Sequence, residues 1–143
     1  MNREILFKAK RTDNGEWVEG YYAISEDSRG LKQHYIFVSD RKYGYFKWVV
    51  IDKKTLCQYT GRTDMHGNKI WENDICAAPD SMRAICKICY GEYDSDGINK
   101  HIGFFTAWEK RWSYFRQDLG FWVSRIEVIG NIFDNPELTG GAL

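Results

Sequence analysis

The stretch Ile5-Leu-Phe-Lys-Ala-Lys-Arg-Thr-Asp-Asn-Gly-Glu-Trp-Val-Glu-Gly-Tyr-Tyr22 decides the fold class. It has two short runs of aliphatic and aromatic residues separated by Thr12-Asp-Asn-Gly15. Asn-Gly is the strongest short hairpin signal, because both central positions of the favoured two-residue turn take positive φ. The runs are too short and too rich in aromatic and β-branched residues for helical periodicity. An antiparallel hairpin is therefore expected at the start of the chain.

The same pattern recurs outward from there. Ser25 to Gly30 reads as a polar loop, Leu31 to Val38 as a third strand and Asp40 to Gly44 as a turn. Tyr45 to Ile51 reads as a fourth strand, and Thr55 to Gly61 as a short one. Arg62 to Lys69 is a turn before Ile70 to Cys76, and Ala77 to Met82 a loop around Pro79. Arg83-Ala-Ile-Cys-Lys-Ile-Cys-Tyr90 is a clear strand, followed by a turn at Asp94-Ser-Asp-Gly97 and a strand in the second half of Ile98 to Trp108. Trp112 to Gln117 reads as a strand or the start of one helical turn, and Arg125 to Ile132 as the last strand. Asn135-Pro136-Glu137 offers a cap, a proline at the first helical position and an acid in the first turn, which predicts a single closing helical turn. The expected architecture is mainly β: one compact domain over residues 1–143, a bent antiparallel sheet or small SH3-like barrel with little helix. In it Glu72 to Ile75 enters a barrel strand that pairs with Arg83 to Tyr90.

Composition narrows the function classes. The 143 residues hold 20 basic and 20 acidic side chains, a net charge of zero that argues against a dedicated duplex-binding protein. Charge is spread evenly along the chain, without a basic arm or acidic tail. No apolar run of signal or membrane-span length is present, so a cytoplasmic protein without membrane contact is expected. Cys57, Cys76, Cys86 and Cys89 are then most simply free thiols in a core.

Three segments carry a family resemblance: Phe7-Lys-Ala-Lys with Trp17-Val-Glu-Gly-Tyr-Tyr22, Gln58-Tyr-Thr-Gly-Arg-Thr-Asp-Met-His-Gly-Asn-Lys-Ile-Trp-Glu-Asn-Asp-Ile75, and Ile126-Glu-Val-Ile-Gly-Asn-Ile-Phe-Asp-Asn-Pro-Glu-Leu138. Together they resemble the YopX protein family of phages, prophages and their bacterial hosts, from end to end of the chain. The resemblance brings no catalytic residues with it. Where members typically show Tyr-Glu-Gly-Asp, this chain has Trp71-Glu-Asn-Asp74. Asn73 in place of glycine fits a left-handed backbone position, and His66 before the turn glycine suggests another. Gly61, Gly67, Asn73, Asp74, Gly130, Asn131 and Pro136 are accordingly read as backbone architecture.

Candidate chemistry is thin. Cys86-Lys-Ile-Cys89 with Cys76 and His101 has the residue types of a zinc site. However, two cysteines three apart in a strand point to opposite faces, and no tight turn follows the first, so neither a metal nor a cofactor is expected. His34, His66 and His101 are scattered, with no nucleophile in a recognised setting. Asp94 to Gly97 lacks the distal Glu of a calcium loop. The remaining hint is aromatic. Six Trp, nine Tyr and eight Phe are more than one small core readily hides. They are densest over Phe104 to Phe121, where Trp108, Arg111, Trp112, Tyr114 and Arg116 interleave rings with cations. Two readings follow. The first is a non-enzymatic accessory protein acting through protein contacts, with a second copy or a host or phage protein as partner. The alternative is a single-stranded nucleic-acid binder that stacks bases on those rings.

Overall fold

The computed structural model describes residues 4–40, 45–94 and 97–139. Four turn residues expected after Asp40, and Ser95 and Asp96 of the turn before Gly97, lie outside them. The chain divides into two compact units at Tyr59/Thr60.

The first unit contains β1 (Phe7–Lys10), β2 (Trp17–Glu26), β3 (Lys32–Asp40) and β4 (Tyr45–Val50). A 3-10 turn over Lys53–Thr55 then leads into β5 (Cys57–Thr63), which continues past the division. The strands are antiparallel neighbours in the order β4-β3-β2-β1-β5. A single bridge, Arg11 to Ile51, joins the far end of β1 to the residue after β4. With Thr12 N–H on Val50 O at 3.2 Å and Asp52 N–H on Lys10 O at 2.9 Å beside it, the bridge brings the ends of β1 and β4 together, so the sheet is strongly bent.

The expected hairpin forms with a longer turn than the two-residue kind. Arg11 N–H donates to Glu16 O at 2.8 Å and Gly15 N–H to Arg11 O at 3.0 Å. Only Gly15 takes positive φ, at 72°, while Asn14 Oδ1 accepts the Glu16 N–H at 2.9 Å. The asparagine works here through its side chain. The polar loop starts later than expected, because β2 runs to Glu26. Asp27 Oδ1 then organises the turn by accepting the N–H groups of Arg29 and Leu31 at 2.8 and 3.0 Å.

One face of this sheet is core. Ala9, Ile36, Val49 and Ile51 are buried there, with Phe7, Val18, Tyr22, Val38 and Leu56 packed against them.

The second unit contains β6 (Lys69–Trp71), β7 (Asp74–Ala78), β8 (Ala84–Asp94), β9 (Lys100–Trp108), α1 (Leu119–Trp122) and β10 (Glu127–Asn131). Short 3-10 turns lie at Lys110–Trp112 and Pro136–Thr139, the second as Pro136 predicts. Its sheet is antiparallel in the order β10-β7-β8-β9. β7 pairs with β8 as expected, with Ile75 opposite Lys87 and Cys76 opposite Cys86. The segment Ile70 to Cys76 divides into β6 and β7 at Asn73, whose φ of 72° is the left-handed position expected of it. Trp112 to Gln117 is not a strand. The segment folds over β9, and the indole N–H groups of Trp108 and Trp122 both donate to Arg116 O, at 2.9 and 2.8 Å. Trp108 and Trp122 form the aromatic centre of a core that includes Ile70, Cys86, Ile88 and Ile126, with Phe115 packed against it.

Candidate contact surface

The segment expected to present rings does the opposite at its centre. Trp108 is 7% exposed, so the reading that places it on a stacking surface is corrected: its indole faces Trp122 at 4.5 Å and Phe115 at 5.2 Å. The physical reason is the loop after β9, which returns over the sheet and encloses the rings. Trp112 is half-buried and stacked on Phe115 at 5.4 Å, with Arg111 over its outer side at 5.2 Å. Arg116 pairs with Asp118 at 2.8 Å and lies over Phe121. Tyr114, 72% exposed, is the one member of the expected ring set that projects into solvent.

Besides Tyr114 and Tyr90, the described aromatics more than half exposed are Tyr21, Phe46 and Trp48 of the first unit, where none were singled out. Register places Tyr21 opposite Phe37, Tyr35 opposite Val50 and Phe37 opposite Trp48, all on the face of β2, β3 and β4 away from the core. Phe46 shares that face. Tyr21, Phe46 and Trp48 are 58%, 57% and 55% exposed. The rings pack on one another: Phe37 on Phe46 and on Trp48 at 4.7 Å each, and Tyr35 edge-on to Trp48 at 5.3 Å. Mutual packing holds them in one orientation, so the face presents a fixed apolar relief. Towards β1 it ends at Trp17, with the ammonium groups of Lys8 and Lys10 at 4.7 and 5.5 Å from that ring.

A signal for this face exists in Tyr35-Ile-Phe-Val38, where rings alternate with β-branched residues. The β-branched pair, Ile36 and Val38, turns into the core and leaves Tyr35 and Phe37 outward.

The cysteines and histidines occupy separate places. Cys76 and Cys86 are buried cross-strand partners. The Cys86 thiol and burial together hold the Cys76 thiol well above its ordinary range. Cys89 lies opposite Phe105, and burial raises its thiol as well. Raised thiols of this kind are poor nucleophiles. His101 lies opposite Tyr93 on the same strand pair, seven positions along from Cys86 in β8 register. Among the described residues no three His, Cys, Asp or Glu side chains converge as a metal would require. In the first unit His34 Nδ1 meets the Tyr22 hydroxyl at 2.5 Å, and burial raises that phenol. In the second, His66 Nε2 meets Glu127 Oε2 at 3.1 Å, and Arg83 holds the other carboxylate oxygen at 3.2 Å.

The glycine-rich segments form a backbone knot in the second unit. Gly61 and Gly67 take φ of 84° and 80°. His66 does not share the left-handed region: among described non-glycine residues it holds only Asn73, Met82 and Arg83. Gly67 supplies that turn's reversal, and His66 is left to pair with Glu127. Asp64, which was not singled out, is the organiser. It is 6% exposed and its Oδ1 accepts the N–H groups of His66 and Asn68 at 2.9 Å each, while Oδ2 accepts that of Val128 at 2.8 Å. Burial alone would push this carboxyl up, but the N–H groups of Val128, Asn68 and His66 outweigh it and hold it below the usual range. Asp74 Oδ2 accepts the Trp71 N–H at 2.8 Å across the Asn73 turn. Asn131 Oδ1 accepts the N–H groups of Phe133 and Asp134, and Asn135 Oδ1 that of Asn131. Asn73 O accepts the Ile132 N–H at 3.1 Å, and Met65 N–H donates to Ile126 O at 3.0 Å. The two motif segments are therefore hydrogen-bonded to each other.

The family model of the YopX protein matches residues 6–139. The chain belongs to the YopX family. The match runs through both units, and two of the three resemblance segments of this YopX chain, Gln58 to Ile75 and Ile126 to Leu138, are the ones hydrogen-bonded to each other. The crystal structure of protein EF1440 from Enterococcus faecalis is 24% identical over 96% of this chain and 99% of that one, with a TM-score of 0.51, a likeness of fold. No curated protein matches the chain.

Proposed function

We propose that this YopX protein is a non-enzymatic accessory protein of phage or prophage type that works through protein contacts. The observation that carries the reading is the outward face of β2, β3 and β4, with Tyr21, Phe46 and Trp48 each more than half exposed. Monomeric proteins rarely leave contiguous apolar patches of more than a few hundred Å² in water, and larger ones usually mark interaction sites. The six side chains Tyr21, Tyr35, Phe37, Phe46, Trp48 and Val50 are uncharged, which suits a protein partner better than a phosphate backbone. A cytoplasmic setting fits the four cysteines, all free thiols.

Photo-cross-linking in cells tests this. A benzoyl-phenylalanine in place of Phe46 should give protein adducts, and the same group at exposed Lys54 should not. Adducts to nucleic acid alone, or equal yields at both positions, would contradict the reading.

A further inference from the structure

We infer that the occupant of the β2–β4 aromatic face is the same face of a second copy of this chain, the two packed face to face about a two-fold axis. The inference rests on the protein-contact reading and names the partner.

Area supports it. Aromatic side chains each present about 150–250 Å², so the six patch residues at their observed exposures leave about 500 Å² of apolar surface per copy. Two such faces, wholly covered, together bury about 1,000 Å², the floor expected of a biological interface and the small end of the range. Charge supports it too. The patch is neutral, and the whole chain balances 20 basic against 20 acidic groups, so two copies meet without net repulsion. Among the described residues, cations lie at the margins of the patch rather than within it: Lys8 and Lys10 over Trp17, and Arg29 and Lys32 beside Tyr35 and Val50.

The face rather than the strand edge makes the contact. β4 ends the strand order and presents an edge up to Val50, whose carbonyl accepts the Thr12 N–H at 3.2 Å. Ile51 N–H donates to His34 O, so alternation turns the backbone groups of Phe46 and Trp48 outward along that edge. Pairing two such edges with Phe46 opposite Trp48 would set Lys47 against Lys47 of the second copy. Lysine on an edge strand is a common guard against such pairing. Face-to-face packing leaves Lys47 on the opposite side of the sheet and stacks ring on ring, as two packed sheets do.

Sedimentation equilibrium of the full chain across the micromolar range is the test. The expected result is twice the chain mass for the natural protein. In Trp48→Glu and Tyr21→Glu the dissociation constant should rise at least about tenfold, with the far-ultraviolet dichroism unchanged. Tyr21 is two strands from the edge, so edge pairing would survive Tyr21→Glu and face packing would not. If either variant fails to fold, the Phe46 cross-linker in the otherwise natural chain gives the same answer as an adduct of twice the chain mass. A monomer at every concentration, or a doubled mass that persists in a folded Tyr21→Glu, overturns the inference. A monomer whose Phe46 cross-linker still captures other proteins leaves the contact reading standing. A monomer without protein adducts overturns both.

Discussion

Asn73 and Asp64 show how much of this fold hangs on single backbone positions. Asn73 has φ 72°, its N–H donates to Ile88 O at 2.8 Å, and its carbonyl accepts from Ile132. A Cβ without a polar tip is disfavoured there, so Asn73→Ala should destabilise by about 1 kcal/mol or more, while Asn73→Gly should be neutral or stabilising. Urea denaturation of the two variants checks this, and equal losses in both would contradict it. Asp64 serves three N–H donors from a buried position. Removing it strands those donors, so Asp64→Ala should cost about 2–3 kcal/mol at neutral pH. Its folded pKa is depressed, so the stability it contributes is present above the unfolded value of about 3.9 and is lost as pH falls through the lower folded value. The denaturation midpoints of Asp64→Ala and the natural chain should therefore converge in acid, and a gap that stays constant would contradict the assignment. Asn73 was legible, because asparagine in a glycine position has one main backbone explanation. Asp64 was not singled out, although an Asp two residues before a His-Gly turn is itself a turn signal.

At the scale of elements, close packing between β2 and β3 sets a second constraint. A Cβ at Gly20 would strike the Phe37 carbonyl oxygen, a backbone atom with nowhere to move. Gly20→Ala should cost at least about 2 kcal/mol or force β3 away from β2, against a typical overpacking cost of about 1–3 kcal/mol. Thermal melting checks it, and an unchanged midpoint would show that the strands are farther apart than described. Most strands were legible, because their residues are aromatic or β-branched and turn residues bound them. The helical turn Leu119–Trp122 was not, since four residues containing Gly120 show no period. The face of a strand was the harder question. Tyr35-Ile-Phe-Val38 is apolar at every position, so period-2 alternation does not say which side is buried. In Tyr45 to Ile51 the charge at Lys47 shares parity with core residues Val49 and Ile51, which marks the wrong side as solvent. The Phe104 to Arg116 segment has the mirror-image problem. Its charges sit beside rings that a returning loop encloses, and loop return leaves no local pattern.

At the scale of the molecule, two aromatic populations serve different ends. Trp108, Phe115 and Trp122 fill the core of the second unit, and their burial makes them stabilising rather than available. Tyr21, Phe46 and Trp48 face water in the first unit, where they stabilise little until something covers them. The abundance of rings was a correct reason to expect some of them in water, but the density of rings along the chain pointed to the core. Oxidative footprinting compares the two surfaces in one measurement. The intact protein in cells is set against the isolated protein at high dilution, with Trp48 and Phe46 read against Tyr114. The account predicts that oxidation of Trp48 and Phe46 falls severalfold in cells while Tyr114 is oxidised equally in both. Trp48 oxidised as readily in cells as in dilute solution, with Tyr114 protected instead, would contradict it.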